Sequence, residues 1–127
     1  MLRQVCTTVA IACLFGCGGG GGGGSTGPLN NTQPPPNGIS VENNMFTPAA
    51  KSVTVGTTVT WAWNSCTDGG GYTGQTCVQH NIVFDDGITS GIQDSGTFTR
   101  QFATAGTYNY HCAIHGAAVM SGSIVVQ

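Results

Sequence analysis

Ala105-Gly106-Thr107-Tyr108-Asn109-Tyr110-His111-Cys112-Ala113-Ile114-His115-Gly116-Ala117-Ala118-Val119-Met120 is the stretch that decides the fold. Its first half alternates. Tyr108, Tyr110 and Cys112 fall on one side of an extended chain, with Thr107, Asn109 and His111 on the other. Ala105-Gly106 punctuates just before it, so the segment reads as a strand entered from a turn. The second half drops the alternation and places a thiol, an imidazole and a thioether in the order Cys-x2-His-x4-Met. Ser123 to Val126 then predicts a closing strand.

The same period runs outward through the chain. Val59, Trp61 and Trp63 share a face, as do His80, Ile82 and Phe84, and Phe98, Arg100 and Phe102. Gly, Asn, Asp and Pro interrupt at short intervals, no helical period is sustained, and there is no internal repeat. Many short strands with frequent turns predict an all-β fold, an antiparallel sandwich. Trp61, Trp63 and Met45 are expected in the core. Tyr108 and Tyr110 are expected to be buried with their hydroxyls satisfied.

His80 lies about thirty residues upstream of Cys112, at the head of a strand-like run. With it, the candidate metal ligands are His80, Cys112, His115 and Met120. Two imidazoles, a thiolate and a weak thioether are the donor set of an electron-transfer copper site. Cu(II) prefers tetragonal surroundings and Cu(I) trigonal or tetrahedral ones; a frame that imposes a compromise lets one electron move with little rearrangement. A Cys at a strand end and a His three residues on can both turn inward across a short loop. His80 must come from another strand, so the site is expected to span the two halves of the sandwich. His111, next to Cys112, points the opposite way in a strand and is expected to be a surface or inter-strand histidine.

These segments resemble the plastocyanin/azurin family of small cupredoxins, over almost all of the chain from Ile39 to Gln127. Val41-Glu42-Asn43-Asn44-Met45-Phe46-Thr47-Pro48 is similar to the family's first strand. Val55-Gly56-Thr57-Thr58-Val59-Thr60-Trp61 resembles the strand leading to the first ligand, His80-Asn81-Ile82-Val83-Phe84-Asp85 its His-Asn motif, and Ala105 to Cys112 its ligand-bearing strand. The resemblance implies a Greek-key β-sandwich and one copper ion cycling between Cu(I) and Cu(II). It implies His80, Cys112 and His115 as equatorial ligands, Met120 as the axial one, and Asn81 as a hydrogen-bonding tie between the ligand loops. The chain departs from the family at His111, where plastocyanins use a tyrosine as an electron route, and at Val119, where a glycine is common. An insert between Cys66 and Cys77 is also absent from the family pattern.

The 127 residues hold one small domain. Residues 1–16 read as a signal peptide: Arg3, an apolar run from Val5 to Phe15, then Gly16-Cys17. Leu14-Phe15-Gly16-Cys17 resembles a bacterial lipobox, which would make Cys17 a lipid anchor; the plainer reading is a secretory signal cleaved near Gly16. Residues 17–38 read as a flexible tether, with seven glycines from Gly18 to Gly24 and a stiffer Pro34 to Pro36. Residues 39–127 are the copper-binding domain. Once the leader is removed, Lys51 and Arg100 face five carboxylates. No basic patch exists, which argues against nucleic acid. Cys6 and Cys13 leave with the leader and Cys112 belongs to the metal motif, so Cys66 and Cys77 are expected to form a disulfide.

The small apolar residues after His115, Gly116 to Val119, are expected to form the face where redox proteins dock transiently. The function expected is that of a monomeric one-electron carrier on the periplasmic side of a bacterial cell envelope, not an enzyme. The competing reading is a copper-delivery protein whose metal leaves. Multicopper oxygen chemistry needs many histidines, and the chain has three.

Overall fold

A computed structural model describes residues 30–69 and 74–127. Ten strands occur among them: β1 (Ile39–Glu42), β2 (Met45–Thr47), β3 (Ala50–Val53), β4 (Thr58–Trp63), β5 (Cys66–Asp68), β6 (Gln75–Cys77), β7 (Val83–Phe84), β8 (Thr97–Gln101), β9 (Gly106–His111) and β10 (Ser121–Val126). One sheet has the order β2-β1-β4-β8 and the other β3-β10-β9-β7; β5 and β6 form a separate hairpin. The chain crosses between the sheets from β2 to β3, from β3 to β4, from β4 by way of the β5–β6 hairpin to β7, from β7 to β8, and from β8 to β9. The expected signal peptide and Cys17 anchor lie outside the described residues.

The core fills the space between the sheets with side chains predicted by the alternation. Val59, Trp61 and Trp63 come from β4, Phe84 from β7, Phe102 from the loop after β8, and Ile124 and Val126 from β10, all buried. Trp61 meets Phe84 and Tyr110 edge-on, with ring centres 5.6 and 5.4 Å apart. Such edge contacts match the positive rim of one ring to the negative face of the next.

Arg100 falls on the inward side of β8, a position patterned for an apolar residue. Its guanidinium lies over Phe84, 4.1 Å from the ring centre, and closes an ion pair with Asp86. Cation–π attraction and a carboxylate partner let it occupy that place.

The structure corrects several sequence expectations. The sandwich is not wholly antiparallel: β1 pairs with β4, and β3 with β10, in parallel. In both cases the strands are separated by excursions through the other sheet, which lets the chain return in the same direction. Met45 is 52% exposed at the end of the β1–β2 hairpin, not in the core. Tyr108 donates its hydroxyl to the Thr104 carbonyl, but the Tyr110 hydroxyl is buried with no hydrogen-bond partner. Burial pushes that hydroxyl up to about 12, against partial opposition from the adjoining Trp61 indole, whose own N–H also lacks a bond of normal geometry.

Finally, Asn30 to Thr32, within the stretch read as tether, bond to the domain. The Thr32 N–H donates to the Trp63 carbonyl, and the Asn31 side chain both accepts from the Cys66 N–H and donates to the Cys66 carbonyl. Composition concealed this because polar side chains, rather than apolar burial, hold the segment down.

Candidate metal centre

β9 delivers Cys112 to the inner face one residue after its last paired position, and β10 begins one residue after Met120. The intervening loop is closed by its own backbone. Cys112 N–H donates to the Met120 carbonyl, Gly116 N–H to the Cys112 carbonyl, and Met120 N–H to the Gly116 carbonyl, at 2.9–3.0 Å. Gly116 has φ of 79°, a left-handed conformation that side chains resist, so the glycine makes this turn possible. His115 stands at the start of that turn.

His80 arrives from the segment before β7. Its N–H donates to the Gln93 carbonyl and its carbonyl accepts from the Gln93 N–H. β7 pairs with β9 in the same sheet, Val83 opposite His111 and Phe84 opposite Tyr110. The ligand segments therefore extend from neighbouring strands of one sheet and do not bridge the two halves as the sequence suggested. Strand pairing is a long-range property that alternation along one segment does not encode.

The ligand-type atoms of His80, Cys112 and His115 all lie within 4.8 Å of one another. Cys112 Sγ is 3.8 Å from His80 Nδ1 and 3.5 Å from His115 Nδ1, so both imidazoles turn the same nitrogen toward the sulfur. Those separations suit three donors sharing one small ion, given bonds of about 2.3 Å to thiolate and about 2.0 Å to imidazole for a first-row metal such as zinc. His80 and Cys112 are inaccessible, and His115 is half-buried. Cys112 is the one free cysteine among the described residues. Met120 is buried in the hydrophobic core together with Cys112, and the backbone bond between them holds the two residues side by side.

Burial pushes the His80 imidazole down to about 4, and the neighbouring charge of His115 adds to the effect. The ring is therefore neutral at ordinary pH, as a metal ligand must be. Asn81, nearly buried, accepts from the Ala113 N–H at 2.8 Å and so ties the His80 segment to the Cys112–His115 loop. His111, half-buried, pairs across β9–β10 with Ser121 and is not part of the cluster. Gln93 and Ser65, which brace the His80 segment through backbone and hydroxyl bonds, carry no sequence signal that marks them.

A family model described as copper binding proteins, plastocyanin/azurin family, matches residues 37–127. A plastocyanin of Scenedesmus fuscus is 34% identical over 96 residues, a match covering 65% of this chain and 87% of that one. A halocyanin of Natronomonas pharaonis is 34% identical over 82 residues, covering 65% of this chain and 48% of the other. Among solved structures, a purple cupredoxin from Nitrosopumilus maritimus aligns with a TM-score of 0.57 and 23% identity over 72% of this chain and 100% of its own, a likeness of fold.

Proposed function

The chain belongs to the plastocyanin/azurin family of copper-binding proteins, and from that premise we propose that it carries single electrons between redox partners through a copper held by His80, Cys112, His115 and Met120. The observation that supports this reading best is the convergence of one free, buried thiol and two imidazoles within 4.8 Å from separate segments of the chain. A soft thiolate beside imidazoles, with a thioether at hand, is a donor set suited to copper. When bound, copper alternates between Cu(I) and Cu(II), so that one electron is gained or lost without a bond being made or broken.

The residues divide the remaining work. Cys112 supplies the negative charge that offsets the metal's. His80, inaccessible and neutral, needs no proton removed before it binds. Asn81 and the closed backbone of the Cys112–Met120 loop hold the donors against movement when the metal's charge changes. His115, half-buried, offers the way out for the electron. Around it Ile114 and Val119 are exposed at 47% and 61%, with Ala117 and Ala118 also at the surface. This uncharged rim is the docking face of the proposal. Burial of His80 and Cys112 favours a resident metal over one handed on, and with three histidines in the chain a multicopper oxidase has too few ligands. Export and anchoring through Cys17 at the cell envelope, with residues 39–127 as the copper domain, complete the proposal on the strength of the leader sequence.

The test is reconstitution with Cu(II). An intense blue absorption that persists through repeated oxidation and reduction, and is lost in Cys112→Ser, is the expected result. A pale tetragonal spectrum, or copper that passes readily to an acceptor, rejects the carrier reading.

A further inference from the structure

The disulfide-closed hairpin is joined to His80 by a short run of bonds. β5 and β6 pair directly through Cys66 and Cys77, which are disulfide-bonded. One residue outside that bridge, Ser65 and Val78 make two bonds to each other. The Val78 N–H donates to the Ser65 carbonyl at 3.1 Å, and the Ser65 hydroxyl donates to the Val78 carbonyl at 2.8 Å. Ser65 is 1% exposed, so its hydroxyl has no water to turn to and its direction is set by that carbonyl. His80 is two residues beyond Val78.

The opposite side of His80 leads back to the same place. Gln93 exchanges both backbone bonds with His80, and the carbonyl oxygen of its neighbour Asp94 lies 3.8 Å from Cys66 Sγ. The Asn31 amide occupies both backbone groups of Cys66. The Ser65–Cys66 pair is thus the point where the N-terminal strap, the hairpin and the His80 ladder meet.

We propose that Ser65 is a positioning residue for the metal centre: with the Cys66–Cys77 hairpin it forms a clamp that fixes the backbone entering His80. Asn81, the residue after His80, accepts from the Ala113 N–H of the Cys112 loop, and Ser65 holds the segment before it. A ligand restrained on both sides keeps its nitrogen in place when the metal's charge changes. The clamp rests on the copper reading for its function but not for its existence, and the two are separable by experiment.

Amide hydrogen exchange on the copper-free chain tests the clamp without any metal. In Ser65→Ala the amides of Val78 and His80 are expected to exchange about fivefold faster, the effect of one net hydrogen bond, while those of Tyr108 in β9 and Ile124 in β10 keep their rates. In the copper-loaded protein the same variant is expected to lose metal to a chelator about tenfold faster, as is usual when a ligand's support is removed. Reduction of Cys66–Cys77 in the wild-type chain opens the clamp from its other side, and the same local acceleration at His80 is expected. Unchanged exchange at His80 in either case overturns the proposal, as does acceleration spread equally over β9 and β10, which would make the hydroxyl a general stabiliser. A wild-type chain that shows the local exchange pattern but never turns blue supports the clamp and overturns the carrier reading instead.

Discussion

His80 shows at the scale of one residue how burial becomes chemistry. Removing an imidazole from water disfavours its charged form, and His115 beside it acts in the same direction. The folded ring takes up a proton only near pH 4, whereas an unfolded histidine does so near 6.5. Between those values the unfolded chain binds a proton that the folded chain refuses. Stability of the copper-free protein is therefore complete above about 6.5 and falls as pH drops toward 4, by an amount on the order of 3 kcal/mol from this residue. Urea unfolding of the copper-free wild type and of His80→Gln at pH 7 and pH 4.5 checks this. The wild type should lose more stability between the two, and parallel losses would count against a buried neutral ring. The same logic with opposite charge holds at Asp86. The Arg100 guanidinium hydrogen-bonds its carboxylate and holds it below the usual range. Asp86 is open to water, which screens the pair, whereas the Arg100 side chain is largely covered; the service of the pair is to keep Arg100 over Phe84 and Phe102.

At the scale of elements, β9 and β10 carry both the ligand loop and a tight approach of ring to backbone. Gly122 stands opposite Tyr110 in the antiparallel ladder. A methyl group built on Gly122 would sit 2.5 Å from the Tyr110 ring and hydroxyl. The ring covers the bare backbone, and the glycine is needed for space, not for its dihedral freedom. Gly122→Ala must displace Tyr110, which is wedged between Phe46, Trp61 and Phe84. A cost of about 1–3 kcal/mol is expected, typical of overpacking, read as a lower thermal midpoint. A midpoint equal to the wild type's would show that the ring has room to move. Because Tyr110 is two residues from Cys112, this packing also braces the strand that presents the thiolate. The β5–β6 hairpin is the other element with a distinct task. Closing so short a loop stabilises the fold by roughly 2–3 kcal/mol in the chain-entropy account, and it brings the chain out of β4 directly into the His80 segment.

Across the whole molecule, the candidate metal centre lies at one end of a sandwich with few charges, behind a half-buried imidazole and an apolar rim. Two copies meeting rim to rim would bring their centres close with little charge repulsion. Ala118→Glu is expected to slow electron self-exchange between reduced and oxidised copies by an order of magnitude, since like charges would then face each other, while leaving the blue absorption unchanged. An unaltered rate would move the docking face elsewhere. Much of this was legible beforehand. The alternation of Val59, Trp61 and Trp63 and of Tyr108, Tyr110 and Cys112 specified strands and their buried faces, because a strand's period is a local property. Cys-x2-His-x4-Met specified a ligand loop for the same reason, and the two cysteines left over specified the disulfide. Met45 was misplaced because a hairpin end exposes whatever residue it carries, and the tether was drawn too long because an asparagine side chain can pair with backbone in a segment that has nothing apolar to bury. The residues themselves determined which donors exist and which strands carry them. Only the tertiary structure decided that β7 lies beside β9, that Gln93 and Ser65 brace His80, and that β1–β4 and β3–β10 run parallel, because these depend on contacts between segments far apart in the chain, whose energies appear only when the sheets have closed on one another.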